Sequence, residues 1–235
     1  MTAKSSFSLN SCTFVNKYYM HNEIMCFAFD FNKTITATHS GSTLLRTNLN
    51  KYCKNFSQDF VDVARWIIKY GIIYKDKSDY QGHIYDAPKE DIEEDIEEDA
   101  NDYDYDCGPI NPDIPRIAIC TFLDKTIYGH DHSKKNDIYI TGEELVKEFL
   151  KRAGFTKQYI NMIDIFCYNP GLYKTCELKG KLKHLSHMTR LYNWKPSQIM
   201  LIDDSKKNLS IAKANGYKTL QFKGPCFNIK TAKPY

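Results

Sequence analysis

The chain has 235 residues, 42% of them hydrophobic and 26% charged, with a formal net charge of +3 at pH 7. That length holds one sizeable core with room for an insertion, and the composition excludes a disordered, collagenous or disulfide-stapled chain. No apolar run approaches the roughly 18 to 20 residues of a membrane-spanning helix, and "MTAKSSFSLNSC" lacks the apolar region of a signal peptide, so a cytoplasmic protein without a membrane partner is expected.

Residues 1–23 show no clean period and read as a peripheral N-terminal segment ahead of a domain spanning 24–235, although "FVNKYYM" could equally dock as a strand or short helix. From Ile24 to Phe29, "IMCFAF" is a continuous apolar run, the pattern of a central strand buried on both faces, and Asp30 closes it. "SQDFVDVARWIIKYG" places Phe60, Val63, Ala64, Ile67 and Ile68 on one face of a helix, with Gly71 as its expected C-cap. The next strand is "RIAICTF", Arg116 to Phe122. The interval before it is longer than an ordinary loop and reads as an insertion at about 76–113. Within it, "EDIEEDIEEDANDYDYD" from Glu90 to Asp106 carries eleven acidic residues and no Lys or Arg. Outside that run, 18 acidic residues face 32 basic ones, so the rest of the chain carries +14. A body that basic favours phosphates, nucleotides or nucleic acid as partners, whereas a self-repelling acidic run is expected to be disordered and solvated.

After the polar stretch "GHDHSKKND", Thr141 and Glu144 have capping-box spacing ahead of a helix whose apolar stripe is Leu145, Phe149 and Leu150. "NMIDIFCY" reads as a strand, and "KLKHLSHMTRLYNW" as a helix with Leu182, Leu185 and Met188 inward. "QIMLIDDS" is a strand, "KKNLSIAKANG" a helix and "YKTLQF" a closing strand. This alternation predicts an α/β, doubly wound, mainly parallel Rossmann-like sheet with helices on both faces. Ligands of such sheets bind beyond the carboxyl ends of the strands. The eight cysteines form no CxxC pair and read as free thiols.

Those strand ends carry Asp30-Phe-Asn32-Lys-Thr34, then Thr121, then Asp203-Asp204, with a lysine-bearing helix ahead of the last pair. In order and context, "FDFNKTITATHSG", "ICTF", "GKLKHL" and "LIDDSKKNLSIAKANG" resemble the motifs of the haloacid dehalogenase (HAD) superfamily of phosphohydrolases: DxDxT, Thr or Ser, Lys, and DD. The resemblance covers about Ile24 to Phe222 and is nearest to small members without a large cap domain, such as the magnesium-dependent phosphatase 1-like group.

The resemblance implies that Asp30 attacks a phosphoryl group to give an aspartyl-phosphate, dividing one hard hydrolysis into two easier steps. It implies Mg²⁺ held by the Asp30 side chain, the main-chain carbonyl of Asn32 and Asp204, with Asp203 orienting water or the lysine. Thr121 and the N–H of Phe122 would bind the phosphate, and Thr34 would brace the loop. The motif lysine is Lys181 or Lys183, and the K-x-x-H-L pattern from Lys181 to His184 favours Lys181. A capless site admits large phosphorylated substrates, proteins or nucleic-acid ends among them.

Asn32 stands where the phosphatases of this superfamily carry a second Asp, which protonates the leaving oxygen and then deprotonates the attacking water. An amide does neither near neutral pH, and general acid–base help is worth ~10²–10⁴-fold. Three readings follow: a Mg²⁺-dependent phosphomonoester hydrolase that is slow, a catalytically weak scaffold that binds phosphate, nucleotide or nucleic acid, or an Asn introduced at position 32 as an engineered trap. His39 or His184 could stand in as the proton donor, although His39 equally reads as a loop residue capping the turn. His130 and His132 have H-x-H spacing but no Cys or further His beside them, so a polar loop is the better account than a transition-metal site. "DIEEDIEE" lacks the glycine and ligand spacing of a calcium loop.

Overall fold

The structure is a computed structural model, described here at residues 9–40, 44–75, 115–122, 138–167 and 180–235. The acidic run and the His130–His132 pair lie outside the described residues. In chain order the elements are α1 (Leu9–Asn22), β1 (Cys26–Asp30), β2 (Leu44–Leu45), α2 (Leu49–Tyr52), α3 (Gln58–Lys75), β3 (Arg116–Thr121) and β4 (Tyr139–Ile140). There follow α4 (Gly142–Arg152), α5 (Lys157–Asn161), β5 (Ile163–Cys167), α6 (Leu182–Tyr192), β6 (Ile199–Ile202), α7 (Lys206–Ala214), β7 (Lys218–Gln221) and β8 (Lys233–Pro234).

Six strands form one sheet in the order β5-β3-β1-β6-β7-β8, parallel throughout except for β8 against β7. β2 and β4 make a separate antiparallel pair. Period-two alternation divides the central strands between two cores of different grain. Phe27, Phe29, Ile117, Ile119, Met200 and Ile202 face a core rich in aromatic rings and covered by α1 to α5. Cys26, Ala28, Ala118 and Cys120 face the other, covered by α6 and α7 through Leu182, Leu185, Met188 and Leu209. Small sheet residues let α6 approach closely, and Cys26 Sγ lies 3.8 Å from Met188 Sδ. Among the described residues, no helix is long and apolar enough to cross a membrane.

Several local expectations are corrected. Of the two readings of the N-terminal segment, the docked helix is the one formed: the segment contains α1, whose Phe14, Val15 and Tyr18 are buried in the larger core. Phe14 meets the rings of Tyr18, Phe27 and Phe227. α3 runs through Gly71 to Lys75, since a single glycine costs a helix only about 1 kcal/mol. The Thr141 side chain makes no cap hydrogen bond: Gly142 bends the chain at φ 57°, and Glu144 turns out to Arg46 at 2.6 Å. β7 is not the last strand, because the following segment returns as β8, with Gln221 opposite Lys233.

Phe14→Ala is expected to destabilise the protein by about 3–5 kcal/mol in urea unfolding, as a large core truncation does. A loss below about 0.5 kcal/mol, typical of surface positions, would return α1 to the periphery.

Candidate active site

Strand register assembles the site. β1 lies between β3 and β6, with Asp30 opposite Cys120 and Phe29 opposite Ile202. The residue after Ile202 is Asp203, so β6 delivers a carboxylate level with Asp30 at the carboxyl edge of the sheet. Asp30, Asp203 and Asp204 each offer an oxygen, all within 4.8 Å of one another.

The cation that offsets them comes from the small-residue face. Lys181, the N-cap of α6, is 1% exposed, and its Nζ lies 2.6 Å from Asp30 Oδ1. The same ammonium donates to the Cys120 carbonyl at 2.7 Å and sits 4.0 Å from the centre of the Phe122 ring. Burial works against its charge, but Asp30 and then Asp203 more than offset that, so its pKa stands above the ordinary lysine value. Lys181 is thus the lysine in contact with Asp30, while Lys183 is half-buried on the next part of α6. Thr121, buried, and Phe122, half-buried, end the neighbouring strand.

The two adjacent aspartates differ in surroundings. Asp203 is fully buried, its Oδ1 accepting from the Ser205 N–H at 2.7 Å and its Oδ2 from Asn208 Nδ2 at 2.9 Å. Burial, and after it the charge of Asp30, raises its pKa. Asp204 is exposed, and its pKa is raised by partial burial and Asp30 against the opposing charge of Lys33. Lys33 itself takes the left-handed conformation at φ 60°, which turns the loop after β1.

That loop is anchored more firmly than a polar turn. Phe31 and Ile35 are fully buried, and the Phe31 ring meets Phe149 edge-on at 5.3 Å. Thr34 braces the loop through its main chain: its carbonyl accepts from the Phe227 N–H at 2.7 Å. Its buried hydroxyl has no hydrogen-bond partner among the described residues.

Asn32 is held by residues that sequence reading missed. Its Oδ1 accepts from the Ser40 N–H at 3.0 Å, the Ser40 hydroxyl at 3.0 Å and the Tyr52 hydroxyl at 2.7 Å. Because a main-chain N–H can only donate, the oxygen end must face Ser40, and the amide NH₂ is turned the other way. Burial pushes the Tyr52 hydroxyl up to about 12, so it remains a donor at neutral pH. No local pattern links Asn32 to a tyrosine twenty residues along the chain on another element.

The buried His184 is not a ready proton donor. His184 Nε2 lies 3.0 Å from the Thr121 carbonyl, and burial, followed by the charge of Lys181, pushes its pKa down to about 3. It is a neutral imidazole that steadies the end of β3, which corrects its expected alternative role. His39 is exposed on the loop beyond Ala37.

Replacing Lys181 with Met leaves buried carboxylate charge uncompensated and is expected to cost about 3–5 kcal/mol. Adding Asp30→Asn should recover much of that loss in chemical unfolding. Equal destabilisation with and without Asp30→Asn would show that the two groups are not coupled.

His184 predicts an acid limb. The native imidazole takes its proton only near pH 3, whereas the unfolded chain takes it near 6.5, so between those values the unfolded state binds more protons. Stability is expected to fall as pH drops through that window, by up to about 1.4 kcal/mol per pH unit from this group. An imidazole NMR titration of His184 with a midpoint near 6.5 would contradict this.

No protein-family model and no curated protein matches this sequence, so the chemistry of the site rests on its own geometry.

Proposed function

We propose that the chain is a Mg²⁺-dependent phosphohydrolase of the haloacid dehalogenase type, acting slowly on phosphomonoesters through a phosphorylated Asp30. The observation that carries this reading is Asp30 at the end of the central strand, in contact with buried Lys181 and within ligand distance of two further carboxylates. Three carboxylates against one buried ammonium leave an excess of negative charge, and an all-oxygen donor set suits a hard divalent cation. Asp30, Asp204 and the main-chain carbonyl of Asn32 would hold Mg²⁺, while Asp203, whose oxygens are already occupied, would orient its neighbours. The bound ion would offset the phosphoryl charge and bring the ester to the attacking carboxylate.

In the first step an Asp30 oxygen forms the bond to phosphorus as the bond to the leaving oxygen breaks. Lys181 would offset the charge on the phosphoryl oxygens, and the Thr121 hydroxyl and Phe122 N–H would bind them. The leaving oxygen must take its proton from water, since Asn32 has none to give. In the second step water attacks the phosphorus and releases the Asp30 carboxylate, again without help from residue 32. Both steps are therefore slowed, and esters with good leaving groups are favoured.

A second reading is a phosphate- or nucleic-acid-binding scaffold with negligible turnover. It draws on the three donors that fix the Asn32 oxygen and on the +14 carried outside the acidic run.

The test is hydrolysis of an activated aryl phosphate with Mg²⁺ by the unaltered chain, by Asn32→Asp and by Asp30→Asn. A carboxylate at position 32 can accept the same three hydrogen bonds on one oxygen and leave the other for proton transfer, so Asn32→Asp is expected to raise kcat by about 10²–10⁴-fold. Asp30→Asn should abolish turnover. Full activity in Asp30→Asn removes the nucleophile assignment, and equal activity in the unaltered chain and in Asn32→Asp removes the account of the amide. If no form turns over while Mg²⁺ still raises the melting temperature through Asp204, the binding reading holds.

A further inference from the structure

A second basic feature lies at the same edge of the sheet. The end of β7 and the starts of β8 and α7 border a partly open cavity of about 230 Å³ lined by Lys206, Gln221, Phe222, Lys223, Thr231 and Lys233. Half of its lining residues are lysines, and none is acidic. Among the described residues, none of the three lysines forms an ion pair, whereas Lys147 and Lys151 on α4 are paired with Glu143 and Glu148.

The backbone under these lysines is fixed. Gln221 stands opposite Lys233 across β7 and β8. Thr231 Oγ1 accepts from the Lys223 N–H at 3.0 Å and donates to the Lys223 carbonyl at 2.8 Å. Lys206 opens α7, whose N-cap Ser205 accepts from the Asn208 N–H. Three like charges are thus held around one hollow, and an anion placed there removes their mutual repulsion.

Its position relates it to the carboxylate site. β7 and β8 are two and three strands from β1 in the sheet order, a lateral separation of roughly 10–14 Å at ordinary interstrand spacing. Lys206 follows Asp204 by two residues. A ligand with one phosphate at Asp30 can therefore extend along the sheet edge and place another among the lysines.

We propose that this cavity is a second phosphate subsite, and that it takes a nucleotide carrying two phosphates: the reacting one at Asp30 and the other seated among Lys206, Lys223 and Lys233. The proposal rests on Asp30 being the phosphate-reactive group and adds a substrate class to it. Nucleotides are favoured because their phosphates sit at short, regular spacing on a semi-rigid unit, and because Phe222 gives the cavity one apolar wall for a sugar or base. The second phosphate has two sources of the same chemistry, a free nucleoside bisphosphate or the backbone of a nucleotide chain end.

The experiment is equilibrium binding to the full chain with Mg²⁺ over a range of salt. The ligands are a nucleoside 5′-monophosphate, a nucleoside 3′,5′-bisphosphate, a 5′-phosphorylated trinucleotide and a doubly phosphorylated peptide. The second phosphate is expected to tighten binding by about tenfold, the scale of one charge-assisted contact. Lys223→Gln with Lys233→Gln, both exposed positions, should erase that gain and leave monophosphate affinity unchanged. The slope of log K against log salt for the trinucleotide should fall by about 0.7 for each phosphate no longer neutralised. A lysine-dependent gain for either the bisphosphate or the trinucleotide supports the subsite, and the tighter of the two identifies its source. No gain from the second phosphate, or a gain that survives in the double variant, overturns the subsite. An equal lysine-dependent gain for the peptide overturns the nucleotide assignment. If the monophosphate does not bind while the bisphosphate still binds through the lysines, the failure lies with Asp30 and not with the cavity.

Discussion

The contact between the Lys181 ammonium and Asp30 is the interaction on which the rest of the site depends. Parallel strands end at one edge, so the register that places Asp30 beside Asp203 also gathers like charges where little water reaches them. Only a fixed cation makes that arrangement tolerable, and its reach is a matter of packing. Cys26, Ala28, Ala118 and Cys120 keep one face of the sheet thin, α6 settles close to it, and the lysine at the head of that helix arrives at the strand end. His184, on the same helix, stays neutral and steadies β3 without adding a charge that would compete with the lysine.

The opposite face performs a different task. Its large rings, Phe29, Phe31, Phe60, Phe149 and Phe227 among them, fix the loop that follows Asp30 from below. Asn32 is then held from the side by Ser40 and Tyr52. Three hydrogen bonds to one oxygen thereby fix the Asn32 side chain firmly within its loop.

The parts of this architecture written in local sequence are those with a strong period. "IMCFAF", "RIAICTF" and "QIMLIDDS" announce buried strands, and their closing residues mark the carboxyl edge by local pattern alone. What could not be read depends on partners distant in the chain. α1 has mixed composition, and its docking through Phe14 requires knowing where Phe27 and Phe227 lie. The Thr141 box satisfied the spacing rule, but Gly142 and the competing Arg46 decided the geometry. Tyr52 and Ser40 carry no motif, and their bearing on Asn32 appears only in three dimensions. The lysines of the β7–β8 cavity are dispersed over 28 positions of a chain rich in lysine, from Lys206 to Lys233, so composition could announce a basic body but not a pocket.

The clasp made by Phe227 bears on the order in which the protein can mature. The loop after β1 receives the Phe227 N–H at the Thr34 carbonyl, and Ser57, at the head of α3, donates to the Phe227 carbonyl at 2.6 Å across 170 positions. A polypeptide emerging from the ribosome holds β1, β3 and β6 well before it holds that clasp. Contacts of such sequence separation form late and slowly. The nascent chain can therefore carry Asp30, Asp203, Asp204 and Lys181 while the loop after β1 is still unfastened. Fastening of the loop after β1 thus waits for synthesis of Phe227 and not for formation of the sheet.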